Sequence, residues 1–147
     1  KEAKKRFKLE KIIWAVTKKN PLKAESKTPI SKKIKDCKKI IGLNSFIKVK
    51  FYENIIKSNK TIDLINYLKK NKNIEIFFLM GADNLINFHK WFKSELISQK
   101  CNIIVFDRHG YKKNSLKSKT FKKLNNKTLT FVEFKKVNIS SSQLRKI

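Results

Sequence analysis

Acidic residues are scarce in this chain: 11 Asp and Glu stand against 37 Lys and Arg over 147 residues, a formal net charge of +26. A balance of that sign points first to a polyanionic partner. Arginine is scarcer still. Only Arg6, Arg108 and Arg145 occur, the other 34 basic residues being Lys, and it is Arg whose planar fork suits bidentate contact with phosphates and bases. The lysines are spread along the whole chain among abundant Asn and Ile, as codon choice in a genome rich in A and T would produce. The charge is therefore read as compositional, and nucleic acid is not the expected partner. A lysine-rich, non-catalytic nucleic-acid-binding domain stays as the alternative.

Cysteine is nearly absent. Cys37 and Cys101 lie far apart among apolar positions and read as buried free thiols in a reducing compartment. No CxxC pair and no Cys/His cluster at zinc spacing is present, so no metal-ligating residues are expected. No apolar run reaches the about 18 residues needed to cross a bilayer, and no signal peptide is visible, so the expected location is the cytoplasm. There is neither an internal repeat nor a low-complexity linker. One domain over residues 1–147 is expected, because a chain of this length buries about two thirds of its unfolded surface.

What is present is alternation. Ala3, Phe7 and Leu9 among charged residues read as the end of an amphipathic helix entered midway, and residues 11–16 as a strand. Two prolines mark 17–29 as a loop, after which Ser31 is placed to cap a helix with Ile34, Cys37, Ile40 and Ile41 inward, ending near Gly42. A strand over 46–52 precedes a helix opened by Ser58 or Thr61, with Ile62, Ile65 and Leu68 as its inner face. Residues 74–80 form an apolar run that stops at Gly81 and Asp83, and a helix is expected from there to about residue 97. A strand over 102–106, a short helix over 115–124 and a strand over 128–134 follow. Residues 139–145 read as a loop turning into a helix. Nearly continuous apolar strands between helices argue for an α/β fold with a parallel sheet covered on both faces.

Three stretches fall where the chain leaves a strand or opens a helix, the edge at which such sheets bind ligands. In Gly81-Ala82-Asp83-Asn84 the glycine permits close backbone approach and Asp83 can accept both hydroxyls of a ribose, while Asn84 is equally suited to capping the next helix. Trp91, eight residues past Asp83, lies near the same face of a continuous helix, either stacking on a ligand or packing beside Phe88 and Phe92. Arg108, in Arg108-His109-Gly110, follows a strand and suits a phosphate or simple solvation. In Ser140-Ser141-Ser142 with Arg145, hydroxyls, free amides and a guanidinium can converge on a phosphate at a helix N-terminus, or the serines merely cap it.

Taken together these stretches resemble the bacterial nicotinate-nucleotide adenylyltransferases. Gly81-Ala82-Asp83-Asn84-Leu85 with Phe88 and Trp91, Asp107-Arg108-x-Gly110-Tyr111, and Ile139-Ser140-Ser141-Ser142-x-x-Arg145 match in order and at fitting intervals. The likeness extends to residues 16–23 and to Thr61-Ile62-Asp63-Leu64. It implies a Rossmann-like nucleotidyltransferase fold in which AMP passes from ATP, with Mg2+, to nicotinate mononucleotide, giving deamido-NAD and pyrophosphate in NAD biosynthesis. By the same resemblance Gly81 and Asp83 would hold the adenosine ribose, and Trp91 would stack on the pyridine ring. Thr61 would line the nicotinate pocket, and Arg108 and Lys23 would meet the mononucleotide phosphate. Ser140, Ser142 and Arg145 would bind the ATP phosphates. A related adenylyltransferase with another acceptor, nicotinamide mononucleotide or phosphopantetheine, is the nearer alternative.

The chain departs from the family pattern in two places. The family's N-terminal strand and Gly-x-Phe-x-Pro-x-His-x-Gly-His segment have no counterpart here, and neither His89 nor His109 stands in a motif that would replace its histidines. No catalytic residue is assigned, and the chain alone is expected to be inactive, a domain incomplete at both ends through truncation or a start site placed too late. The second departure is His109, where the family usually has proline. Oligomeric state is not legible.

Overall fold

The computed structural model describes residues 2–19, 27–70 and 73–133. By its internal contacts the chain divides into two compact units, Lys1–Tyr67 and Leu68–Ile147.

In the first unit α1 (Glu2–Phe7) is the short helix expected, with Arg6 Nε 3.3 Å from Glu2 Oε2 one turn away. Strands β1 (Ile12–Ala15) and β2 (Ile47–Lys50) pair in parallel, Ile12 opposite Ile47. Between them runs α2 (Ile30–Ile41), which packs on β2. Its N-cap is Pro29, not Ser31, which lies exposed in the first turn. Proline's fixed φ suits a helix entrance, and its carbonyl already accepts the first bond, from the Lys33 amide at 3.1 Å. The helix ends at Gly42 as expected, at φ +54. Its inner face is only half-buried at Ile34, Cys37 and Ile41, and Ile40 is exposed. A single turn, α3 (Glu53–Ile56), precedes α4 (Thr61–Lys69), whose Ile62 and Ile65 are buried as their spacing predicts. Thr61 is the first helical residue. Ser58 organises the entrance: its hydroxyl donates to Asp63 Oδ2 at 2.6 Å and accepts from the Lys60 amide at 3.1 Å.

The second unit carries a three-stranded parallel sheet in the order β3-β4-β5, from β3 (Phe77–Gly81), β4 (Asn102–Phe106) and β5 (Leu129–Val132). In central β4 the successive residues Ile103, Ile104 and Val105 are all essentially buried. Because neighbours on a strand point to opposite faces, burial of all three means cover on both sides, which is why this strand reads as a continuous apolar run. The parallel sheets flanked by helices are those of the Rossmann-like class expected.

Three expectations for this unit need correction. Residues 74–76 lie outside the strand, and Ile74 is exposed. The single helix expected from Gly81 to about residue 97 is two: α5 (Ala82–Asn87) runs into a 3-10 turn, Phe88–Lys90, and α6 (Ser94–Lys100) begins after an extended Trp91 and a left-handed Lys93 at φ +52. Leu85, Phe88 and Ile97 are each at most 1% exposed, and all three reach the core only because the chain changes direction between them. In one continuous helix Phe88 and Ile97, nine residues apart, would lie on opposite faces; tertiary burial, not helix propensity, decides the break. Likewise 115–124 is two helices, α7 (Lys112–Leu116) and α8 (Lys119–Leu124), divided where Ser118 caps α8 by accepting from the Phe121 amide at 3.1 Å.

Candidate active site

Parallel strands in register deliver equivalent positions to the same sheet edge. Gly81, the last residue of β3, lies opposite Phe106, the last of β4. Asp83 and Arg108 each follow two residues later, so residues 25 apart in sequence emerge side by side. They meet: Arg108 Nη1 donates to Asp83 Oδ2 at 2.7 Å. The Asp83 side chain is largely enclosed and that of Arg108 nearly half-exposed, at 18% and 43%. The other carboxylate oxygen, Oδ1, is buried and has no hydrogen-bond partner among the described residues. An acceptor in that state carries a desolvation cost that a donor from a ligand would relieve.

Gly81 explains how the carboxylate reaches this place. Its backbone is ordinary extended chain, φ −82 and ψ 156, so no left-handed conformation demands glycine. Space does. A Cβ at position 81 would stand 2.5 Å from Asp83 Oδ1, so the close approach foreseen at this glycine is made by the chain's own carboxylate. Gly81 is also the N-cap of α5, which leaves Asn84 within the first turn instead of capping it. Asp83 shares that turn, where a negative charge is favoured.

On the Arg108 side, the Tyr111 amide donates to the Arg108 carbonyl at 3.0 Å, closing a turn that needs Gly110 at φ +81. The guanidinium carbon is 5.9 Å from the centre of the Tyr111 ring. Sequence spacing alone could have marked Tyr111 as a neighbour of Arg108, but not Asp83. His89 and His109 are both exposed.

Trp91 does not continue the α5 face. It packs on Phe88 at 5.3 Å between ring centres and edge-on to Phe78 at 6.0 Å. It remains half-buried, and Phe92, the other expected neighbour, is 53% exposed. Two aromatic supports and an incomplete cover hold the indole without enclosing it, which suits a platform for a flat ring.

Thr61 belongs to the first unit and is described there. It borders a cavity of about 40 Å³ beside the ends of β1 and α3, with Val16, Thr17, Tyr52, Glu53 and Ser58 among its walls. That is room for one or two waters. The segment leaving β1 is pinned on both sides: Lys33 Nζ donates to the carbonyls of Thr17 at 3.2 Å and Lys18 at 2.7 Å, and the Lys18 amide donates to Glu53 Oε1 at 3.1 Å. The Ser58–Asp63 bond and these pins escaped the sequence reading, the only signal being a serine five positions before an acid. Lys23, Ser140, Ser142 and Arg145 lie outside the described residues.

A sequence model of cytidylyltransferase-like proteins matches residues 1–147. A "Probable nicotinate-nucleotide adenylyltransferase" of Pelagibacter ubique (strain HTCC1062) is 65% identical over 147 residues, which is 100% of this chain and 82% of the relative. One of the same name from Clostridium botulinum (strain Eklund 17B / Type B) is 32% identical over 149 residues, covering 99% of this chain and 74% of the relative. One from Rhizobium johnstonii is 32% identical over 117 residues, of which the chain spans 58% of the relative's length. Among solved structures, Plasmodium falciparum nicotinic acid mononucleotide adenylyltransferase complexed with NaAD superposes with a TM-score of 0.67 at 21% identity, over 94% of this chain and 69% of that one. At that identity the likeness shows the fold.

Proposed function

The chain belongs to the cytidylyltransferase-like family and, with a relative 65% identical along its whole length, to the nicotinate-nucleotide adenylyltransferases within it; from that premise we propose that it binds ATP and nicotinate mononucleotide for adenylyl transfer between them. The match of one family over residues 1–147 also supports taking both units as parts of a single nucleotidyltransferase domain.

In the reaction a phosphate oxygen of the mononucleotide attacks the α-phosphorus of ATP, the new P–O bond forms, and pyrophosphate leaves with the electron pair of the bond that breaks. Such a displacement needs positioning and charge stabilisation more than covalent help from the protein. Asp83 accepts the ribose hydroxyls, with Gly81 leaving room for its carboxylate, and Trp91 stacks on the pyridine ring. Thr61 lines the nicotinate pocket. Arg108 and Lys23 take the mononucleotide phosphate, and Ser140, Ser142 and Arg145 take those of ATP. Magnesium enters as the counter-ion of the triphosphate, part of the substrate; among the described residues no cluster of three His, Cys, Asp or Glu could hold an ion. No catalytic residue is assigned. Among the described residues no helix is long and apolar enough to cross a membrane.

The observation that carries this reading is the register-driven meeting of Asp83 and Arg108 at the carboxyl edge of a parallel sheet, the place where α/β proteins bind nucleotides. The test offers ATP with nicotinate mononucleotide, nicotinamide mononucleotide or phosphopantetheine, and measures dinucleotide product and pyrophosphate alongside calorimetric binding of each acceptor. Saturable binding of nicotinate mononucleotide, weakened at least about tenfold in Trp91→Ala, is expected, tenfold being about 1.4 kcal/mol. Absence of such binding, or equal binding by the variant, refutes it.

A further inference from the structure

The Asp83–Arg108 bond joins two side chains that the functional reading gives to different substrates. A ribose diol engages a carboxylate best through both oxygens, yet Oδ2 is already held by Arg108 at 2.7 Å, and Oδ1 is buried and without a hydrogen-bond partner among the described residues. A phosphate is met best by a guanidinium whose fork is free, yet one Nη of Arg108 is committed to Asp83. Each residue therefore holds the other part-way out of its role. Gly81 keeps the arrangement tight, since a Cβ there would meet Oδ1 at 2.5 Å.

We propose that Arg108 is a positioning residue for Asp83 when the site is empty and a phosphate ligand when it is filled, so that the ATP ribose and the mononucleotide phosphate bind with positive cooperativity. The inference rests on the functional reading above. When the mononucleotide phosphate draws Arg108 away, Oδ2 is released and the carboxylate presents both oxygens to the ribose. When the ribose takes both oxygens first, the guanidinium is released toward the phosphate. The two effects are one coupling free energy and must be equal in size. Because the Arg108 side chain is 43% exposed and exposed ion pairs are weak, the coupling sits at the low end of the usual range, about fivefold in each affinity.

Calorimetric titrations of the full chain test this. The α,β-methylene analogue of ATP is titrated with and without saturating nicotinate mononucleotide, and again with the analogue carrying dideoxyribose. About fivefold tightening with the ribose form and none with the dideoxyribose form is expected, since charge repulsion between the phosphates is the same in both. Asp83→Asn, nearly isosteric, leaves Arg108 free from the outset. The mononucleotide then binds the variant alone about fivefold more tightly than it binds the parent alone, and the nucleotide analogue adds nothing; a merely structural Asp83 would give looser binding instead. Independent binding of the two ligands, equal coupling with dideoxyribose, or weakened mononucleotide binding in Asp83→Asn overturns this inference and leaves the functional reading intact. Failure of the mononucleotide to bind at all overturns both. The parent-chain titrations need no variant to fold.

Discussion

Replacing Gly81 by Ala should separate stability from binding at this site. The new methyl would stand 2.5 Å from Asp83 Oδ1, far inside the about 3.5–4.0 Å at which non-bonded heavy atoms settle. The main chain does not object: φ −82 and ψ 156 are open to alanine, and loss of glycine's freedom in the unfolded chain contributes about 0.4–1 kcal/mol of stability. Against this, Asp83 must turn away. An off-rotamer side chain costs about 0.5–1.5 kcal/mol, and the loosened bond to the partly exposed Arg108 at most about 1 kcal/mol. The opposing contributions leave a net change within about 2 kcal/mol, readable by urea denaturation. Binding behaves differently. With the carboxylate displaced, affinity for the ATP analogue is expected to fall at least about tenfold, about 1.4 kcal/mol, while nicotinate mononucleotide still binds. Unchanged affinity for the analogue, or destabilisation beyond about 3 kcal/mol, would refute the reasoning.

Phe88 is 1% exposed and supports Trp91, so Phe88→Ala should cost about 3–5 kcal/mol of stability, measured by denaturant unfolding, with the indole emission shifted to longer wavelength. Ser118→Ala removes the acceptor for the Phe121 amide and should cost about 1 kcal/mol without changing ligand affinity. Burial pushes the Cys101 thiol up to about 11 from an ordinary 9.0, with Lys69 opposing the shift. Between those values the unfolded chain loses this proton and the folded chain keeps it, so stability falls as pH rises from about 9 to about 11 and is untouched by this group below that window. Cys101→Ala should flatten that stretch of the stability profile by up to about 3 kcal/mol, one pKa unit being about 1.4 kcal/mol; an identical slope in the variant would count against it. The same thiol, with Sγ donating to the Ile97 carbonyl at 3.1 Å, should resist alkylation at pH 8, where the half-buried Cys37 reacts.

Local chemistry by itself determined much of this protein. Apolar runs separated by helical spacing imply parallel strands, and β4 bears this out because a strand buried on both faces can carry few polar residues. Gly42 ending α2, and Ile62 and Ile65 facing inward on α4, follow from backbone freedom and helical periodicity, properties of a few adjacent residues. The Gly-Ala-Asp turn, Arg108 and Trp91 stood out for the same reason: their residue types belong at strand ends and ligand edges.

Register, by contrast, is set between strands and leaves no mark in either one. Only the pairing of Gly81 with Phe106 brings Asp83 to Arg108, and only the space beside Asp83 shows why position 81 is glycine. The break of the expected long helix at Phe88, and the cap by Pro29 in place of Ser31, were decided likewise by burial and by which carbonyl happens to face the first amide. The sequence alone determined which side chains could do chemistry. The tertiary structure decided which of them touch, because contact depends on how distant strands align, a choice made by packing and not by any one segment.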